Sequence, residues 1–217
     1  MTLSTTYFGP VQWYSKLRHC MGQTVYIEAC ETFQKQTYRN RCIIASPNGP
    51  QALSIPVVHT EKGNTCIRDL EISQHGNWRH LHWQALQTAY GESAFFDYYE
   101  DDIRPFFFDC GPESPVHLTH LLDYNMAATR LMCRLFDLDV DLRLTDTYNK
   151  GVEEDYRTII RPKNPPVDDA FAVKPYYQVY RQRHGFLPNL SILDLLFNLG
   201  PEALVYLIHN SQCIIHN

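Results

Sequence analysis

The chain lacks most of the short signatures that announce a known chemistry. It contains no Gly-x-Gly-x-x-Gly, no Gly-x-x-x-x-Gly-Lys-Ser/Thr, no Gly-x-Ser-x-Gly and no Cys-x-x-Cys. A dinucleotide dehydrogenase, a P-loop NTPase and a serine hydrolase of standard type are therefore disfavoured. Its seven cysteines are an odd number with no close pair, unlike the even, clustered set of a secreted disulfide scaffold. No run of eighteen uncharged apolar residues occurs, and Met1 to Pro10 lacks a basic segment followed by an apolar one. These features predict a cytoplasmic protein with no membrane insertion and no signal peptide. Positive charge is in short supply: 19 Lys and Arg against 24 Asp and Glu give a formal net charge of −5. Bulk electrostatics thus argue against nucleic acid as a partner. At 217 residues, 44% hydrophobic, the chain suits a single domain spanning 1–217 with a sizeable core.

Against that acidic background, the stretch from Phe33 to Cys42 stands out, with Lys35, Arg39 and Arg41 inside seven residues. Read as an extended strand, it places Lys35, Thr37, Arg39 and Arg41 on one face and Gln34, Gln36, Tyr38 and Asn40 on the other. Three cations would then span roughly 20 Å, about the reach of a phosphorylated ligand. The alternatives are an edge strand kept soluble by its charge and a row consumed by internal salt bridges to residues such as Asp69, Asp97 or Asp101.

Ser73 to Trp83 holds His75, His80 and His82. On a helix, His80 and His82 point about 200° apart, so they cannot chelate one ion together, and no acidic partner sits at zinc spacing. No metal is expected there. A loop entering a helix amino terminus fits better, with Gly76, the Asn77 cap and free amides meeting an anion. His75, Arg79 and His80 would supply donors or an acid–base pair. The structural alternative has Trp78, Leu81 and Trp83 docking the helix while the histidines satisfy buried carbonyls.

The remaining pattern reads as strands at Thr5–Phe8, Thr24–Ile27, Phe33–Ile44, Ala52–Val57, Cys66–Ile72 and Asp141–Thr145. Helices are read at Trp13–Cys20, His80–Tyr90, Phe95–Ile103, from Ser114-Pro115 through Phe136, Ser191–Asn198 and Pro201–Ile208. Arg161 to Pro175 carries four of the thirteen prolines and reads as a long loop. Ser191 with Asp194 has the form of a capping box, and Asn189 before it is free to face a pocket. The fold class predicted is α/β, with a central mixed sheet flanked by helices. An α+β arrangement, with an antiparallel sheet and segregated helices, is the alternative.

Three blocks together carry a family resemblance: Tyr7-Phe8-Gly9-Pro10-Val11-Gln12-Trp13-Tyr14, Gln34 through Arg41, and Phe186-Leu187-Pro188-Asn189-Leu190-Ser191-Ile192-Leu193-Asp194. They resemble the WbqC-like family, a bacterial family whose founding members are encoded among genes for O-antigen polysaccharide. The family usually has Pro where this chain has Gly9, and Arg161 to Pro175 stands where longer members carry a further strand and turn. The resemblance implies a role near surface-polysaccharide or nucleotide-sugar metabolism. The expected activity is a transferase acting on a phosphorylated or nucleotide-linked sugar. His75 or His80 would be catalytic, and Tyr7, Gln34, Lys35, Arg39, Arg41, Asn77, Arg79 and Asn189 would bind the ligand. The alternative is a non-catalytic protein that grips an acidic ligand or partner through Lys35, Arg39 and Arg41. No cofactor is indicated.

Overall fold

The computed structural model describes residues 1–58 and 65–210. In chain order, its first half comprises β1 (Thr2–Ser4), α1 (Val11–His19), β2 (Thr24–Glu28), β3 (Arg41–Ser46), β4 (Gly49–Ser54), α2 (Trp78–Tyr90) and α3 (Phe96–Ile103). The second half comprises α4 (Leu121–Leu135), β5 (Asp141–Leu144), α5 (Arg181–His184), α6 (Ile192–Leu199) and α7 (Ala203–Asn210). The architecture is mixed α/β. Its parallel and antiparallel strands form two small sheets. One is parallel, in the order β1-β2-β5, and the other is the β3-β4 hairpin.

The parallel sheet explains the opening of the chain. Thr2, Leu3 and Ser4 pair in register with Tyr26, Ile27 and Glu28, and Thr24 to Ile27 pair with Asp141 to Leu144. A parallel pair needs a crossover, and α1 supplies it between β1 and β2. The first strand was expected at Thr5–Phe8 but lies at Thr2–Ser4. All three of its residues are buried, so no polar–apolar alternation marks it. Thr5 to Pro10 instead forms a buried turn in which Phe8 takes φ +39°.

Other expectations shift, among them the strand read at Ala52–Val57, which lies at Gly49–Ser54, and the helix read at Trp13–Cys20, which lies at Val11–His19. Phe33 to Asn40 is a succession of turns, with Gln36 at φ +60°, and the strand begins only at Arg41. Cations at alternate positions therefore do not share a face. Cys66–Ile72 is a single turn of 3₁₀ helix at Ile67–Asp69 with isolated bridges on either side. Ser114-Pro115 opens a 3₁₀ turn at Pro115–His117. The long helix starts at Leu121, because Leu118 and His120 are extended. The helix expected at His80 already begins at Trp78.

The core forms where α1, α2, α4 and α6 bury Trp13, Tyr14, Leu86, Tyr90, Tyr124, Met132, Leu196 and Phe197 around the two sheets. The stretch Ile192–Asn210 is long and apolar enough to cross a membrane by length and composition alone, yet 56% of its window is buried inside the protein. Burial of each such side chain contributes about 1.5–3 kcal/mol, which accounts for its apolar character as core.

The amino-terminal motif is stitched to the carboxyl-terminal one. Val11 N donates to Leu190 O at 2.9 Å, Ile192 N to Gly9 O at 2.8 Å and Ser191 Oγ to Phe8 O at 2.7 Å. Ser191 also caps α6, accepting from Leu193 N at 3.3 Å. Asp194 does not complete the box. Its carboxylate turns into the core and accepts from Tyr90 Oη at 2.9 Å, Tyr176 Oη at 2.6 Å and Gln178 Nε2 at 3.0 Å.

Candidate functional site

In open α/β sheets, ligands bind beyond the carboxyl ends of the parallel strands. Here those ends carry an unusual density of buried charge. Ser4 closes β1, Glu28 closes β2 and Thr145 follows β5. Glu28 is fully buried and receives Arg157 Nη1 at 2.7 Å, Thr145 Oγ1 at 2.6 Å and Cys30 N at 3.0 Å. Glu31, three residues on, holds Arg39 through Nε at 2.8 Å and through Nη2, and Nη2 also reaches Ser4 Oγ at 2.7 Å. Arg157 forks onto Asp155 through Nε at 2.8 Å and Nη2 at 2.6 Å, with its guanidinium 4.5 Å from the centre of the Tyr148 ring.

The electrostatics follow from these contacts. The Arg157 fork holds the Asp155 carboxyl below its usual range and raises Arg157 itself, so both stay charged. Burial raises the Cys30 thiol, with the neighbouring Arg68 pulling it down. Stability alone does not call for such a cluster. Replacing buried ion pairs by well-packed apolar groups is often neutral or stabilising, whereas removing one partner costs about 3–5 kcal/mol. Charged groups held rigid at strand ends are instead the preorganised donors and acceptors that a polar ligand needs.

Beside the cluster lies an open cleft of about 300 Å³ lined by Cys30, Glu31, Gln34, Arg39, Tyr148 and Arg157 among others. Two of the ligand-binding residues expected from sequence, Gln34 and Arg39, therefore meet there. Lys35 follows Gln34 and is exposed, whereas Arg41 is half-buried, with its Nε on Ser54 Oγ at 2.9 Å. Arg39 is consumed by an internal pair, as one alternative held, but its partner is Glu31.

The other expected residues fall elsewhere. Asn77, Arg79 and His80 line a separate cavity of about 270 Å³ at the start of α2. His75 is exposed beside it. His82 is buried with Nδ1 3.0 Å from Tyr7 Oη, and burial lowers its imidazole to about 4, against a hydrogen bond with the Ser54 backbone. It is a neutral core histidine of the kind the structural alternative described, and Tyr7 is its fully buried partner. Among the described residues, no cluster of three His, Cys, Asp or Glu is arranged to hold a metal ion.

Asn189 takes φ +53° and clasps Gln12, accepting from its backbone N at 2.9 Å and donating to Oε1 at 3.0 Å. Gln12 Nε2 in turn donates to Asp168 at 2.7 Å, and Asp168 pairs with the buried Lys16 at 2.7 Å. The proline-rich segment is thus pinned to α1 beside a cavity of about 740 Å³ whose lining includes Lys16, His19, Tyr156 and Asp168.

Sequence reasoning passed over Glu28, Glu31, Arg157, Lys16 and Asp168. The pair Glu28 and Glu31, at and just after the end of a legible strand, was a usable signal. The pairing with Arg157 was not, because it spans 129 residues.

The fold and this cleft define an α/β protein with a charged, polar cleft at the mouth of its parallel sheet. The model of the WbqC-like protein family matches residues 6–161 and 169–206, and the chain belongs to that family. A similar protein is "Uncharacterized protein Rv1507c" of Mycobacterium tuberculosis (strain ATCC 25618 / H37Rv), 26% identical over 207 residues, covering 83% of this chain and 85% of the relative. No solved structure matches the chain. The break in the family match falls at 162–168 and takes in Asp168, whereas Gln12 and Lys16 lie inside the match. At Gly9 an added Cβ would stand 2.4 Å from Thr6 Oγ1, so the Thr6 side chain fills that space.

Proposed function

We propose that the protein is a cytoplasmic transferase acting on a phosphorylated or nucleotide-linked sugar, in the making of a bacterial surface polysaccharide. The observation carrying this reading is the cleft where Gln34, Glu31, Arg39 and Arg157 converge at the carboxyl ends of the parallel strands. Alternating carboxylate, guanidinium and amide groups suit a ligand rich in hydroxyls, each of which both donates and accepts. Tyr148 offers a flat face, and exposed Lys35 follows Gln34 as a cation for the phosphate. Glu31 lines the same cleft, its carboxylate oxygens held by Arg39 and by Ser4 Oγ, so it orders the wall of the site.

A second reading, a binding protein without turnover, is favoured by one observation. His75 and His80, the expected acid–base pair, stand apart from this cleft. Thermal unfolding against a panel of sugar phosphates and sugar nucleotides tests both. A ligand at about 100 times its Kd stabilises by about 2.7 kcal/mol, a rise of a few degrees for a protein of this size. The expected result is a selective rise that Gln34→Ala and Lys35→Ala reduce. Product formation from that ligand separates transferase from binding protein, and a flat panel refutes both.

A further inference from the structure

Among the described residues that line the strand-end cleft, Tyr148 is the aromatic one. It stands 48% exposed, yet its place is fixed. The Arg157 guanidinium lies over one face of the ring, 4.5 Å from its centre, and the Arg157 side chain is only 4% exposed. Four hydrogen bonds anchor that guanidinium: Nε and Nη2 on Asp155 at 2.8 and 2.6 Å, Nη1 on Glu28 at 2.7 Å and Nη2 on Asn149 O at 2.7 Å. Asn149, next to Tyr148 in the chain, is held at its amide as well, its N donating to Glu28 Oε2 at 3.3 Å. Arg157 keeps water from the face it covers, so the exposure of Tyr148 belongs to the opposite face and the ring edge. A ring already held in place loses little further freedom when a ligand packs on it.

Sugars and nucleobases both lie on aromatic faces, and the buried cation behind this ring favours one over the other. A sugar presents C–H groups of partial positive charge, which seek the negative face of the aromatic quadrupole. The guanidinium draws on that same negative charge from behind. The open face is thereby made poorer for C–H groups and better suited to a π system edged with carbonyl oxygens and ring nitrogens. A base also brings donors and acceptors on its edge, and Gln34 and Thr158 in the same wall offer it an amide and a hydroxyl.

We infer that Tyr148, backed by Arg157, is the platform on which the ligand stacks a nucleobase, so that the sugar taken by this cleft is carried on a nucleotide. The assignment rests on the reading of this cleft as the ligand site, and narrows its substrate from phosphorylated sugars in general to nucleotide-linked ones. Tyr148 is a specificity residue and takes no part in the chemistry.

The test is titration calorimetry of the uridine, cytidine, adenosine and guanosine 5′-monophosphates beside ribose 5-phosphate, which differs from them only in lacking the base. At least one nucleotide is expected to bind about tenfold or more tightly than ribose 5-phosphate, as base–aromatic stacking provides. Tyr148→Leu keeps apolar bulk over Arg157 but removes the π face, and should weaken that nucleotide about tenfold while leaving ribose 5-phosphate as it was. Tyr148→Phe keeps the face and should bind the nucleotide nearly as wild type does. If ribose 5-phosphate or the sugar phosphates bind as tightly as every nucleotide, the stacking assignment falls while the cleft stands as a sugar-phosphate site. Nucleotide affinity unchanged in Tyr148→Leu, or lowered there in step with ribose 5-phosphate, overturns it as well. No binding of any of these, nor of the sugar nucleotides and sugar phosphates, removes both the assignment and the reading beneath it.

Discussion

Replacing Asp194 by asparagine isolates the pH dependence of one buried carboxyl. Asp194 is fully buried, and burial pushes it from 3.8 up to about 6 against the pull of hydrogen bonds from Tyr176, Tyr90 and Gln178. Between those two values the folded state binds more protons than the unfolded state, so this group makes stability fall as pH rises. Its contribution is greatest below the unfolded value and fully lost above about pH 6. The whole difference amounts to about 3 kcal/mol at 1.36 kcal/mol per pH unit, of which about 2 kcal/mol falls between about pH 4.5 and about pH 7.5. An asparagine does not titrate, and every other carboxyl is common to both proteins. The stability of wild type minus Asp194→Asn, from urea unfolding at a series of pH values, should therefore shift by about 2 kcal/mol toward the variant over that window. The absolute difference also contains the mismatch between the new amide N–H and the Gln178 Nε2 donor. Only the slope reports the carboxyl. A difference flat in pH would mean that Asp194 titrates normally in the fold, and the reasoning fails.

Other outcomes follow from contacts already described. Asp168→Asn strips the buried Lys16 ammonium of its counter-charge and should cost about 3–5 kcal/mol by denaturant unfolding, whereas Lys16→Met with Asp168→Leu should recover most of it. Gly200→Ala would place a Cβ 2.5 Å from the Phe95 ring at φ +52°, and should lower stability by about 1–3 kcal/mol. Leu193→Ala opens a cavity at a fully buried site in α6, with an expected loss of about 2–5 kcal/mol by the same assay.

The parts of the fold legible in the sequence are those fixed by local periodicity. Thr24–Ile27 reads as buried strand and is β2, and the Ser46–Pro50 turn signal sits at the tip of the β3-β4 hairpin. The apolar stripe read from Leu118 to Phe136 is α4 from Leu121 to Leu135, with Leu118 extended before it. What failed was governed by distant partners. The polar run around Gln36 looked extended because nothing local shows that Glu31 and Ser4 draw Arg39 inward. Of the polar run, Gln34 and Arg39 line the strand-end cleft, exposed Lys35 follows Gln34 at its edge, and Arg41 turns instead to Ser54. His82 was indistinguishable from His80 by residue type, and only the third dimension brings Tyr7 against it.

The stitching of Phe8, Gly9 and Val11 to Leu190, Ser191 and Ile192 also sets an order of events during synthesis. The Ser191–Phe8 bond closes a loop of 183 residues. At about 5–20 residues per second, the opening strand and helix wait roughly ten to forty seconds before their partners leave the ribosome. Throughout that interval the part of the Trp13, Tyr14 and Leu17 surface that α6 and α7 cover stays open. Assembly of the opening motif is therefore tied to the arrival of α6, far along the chain.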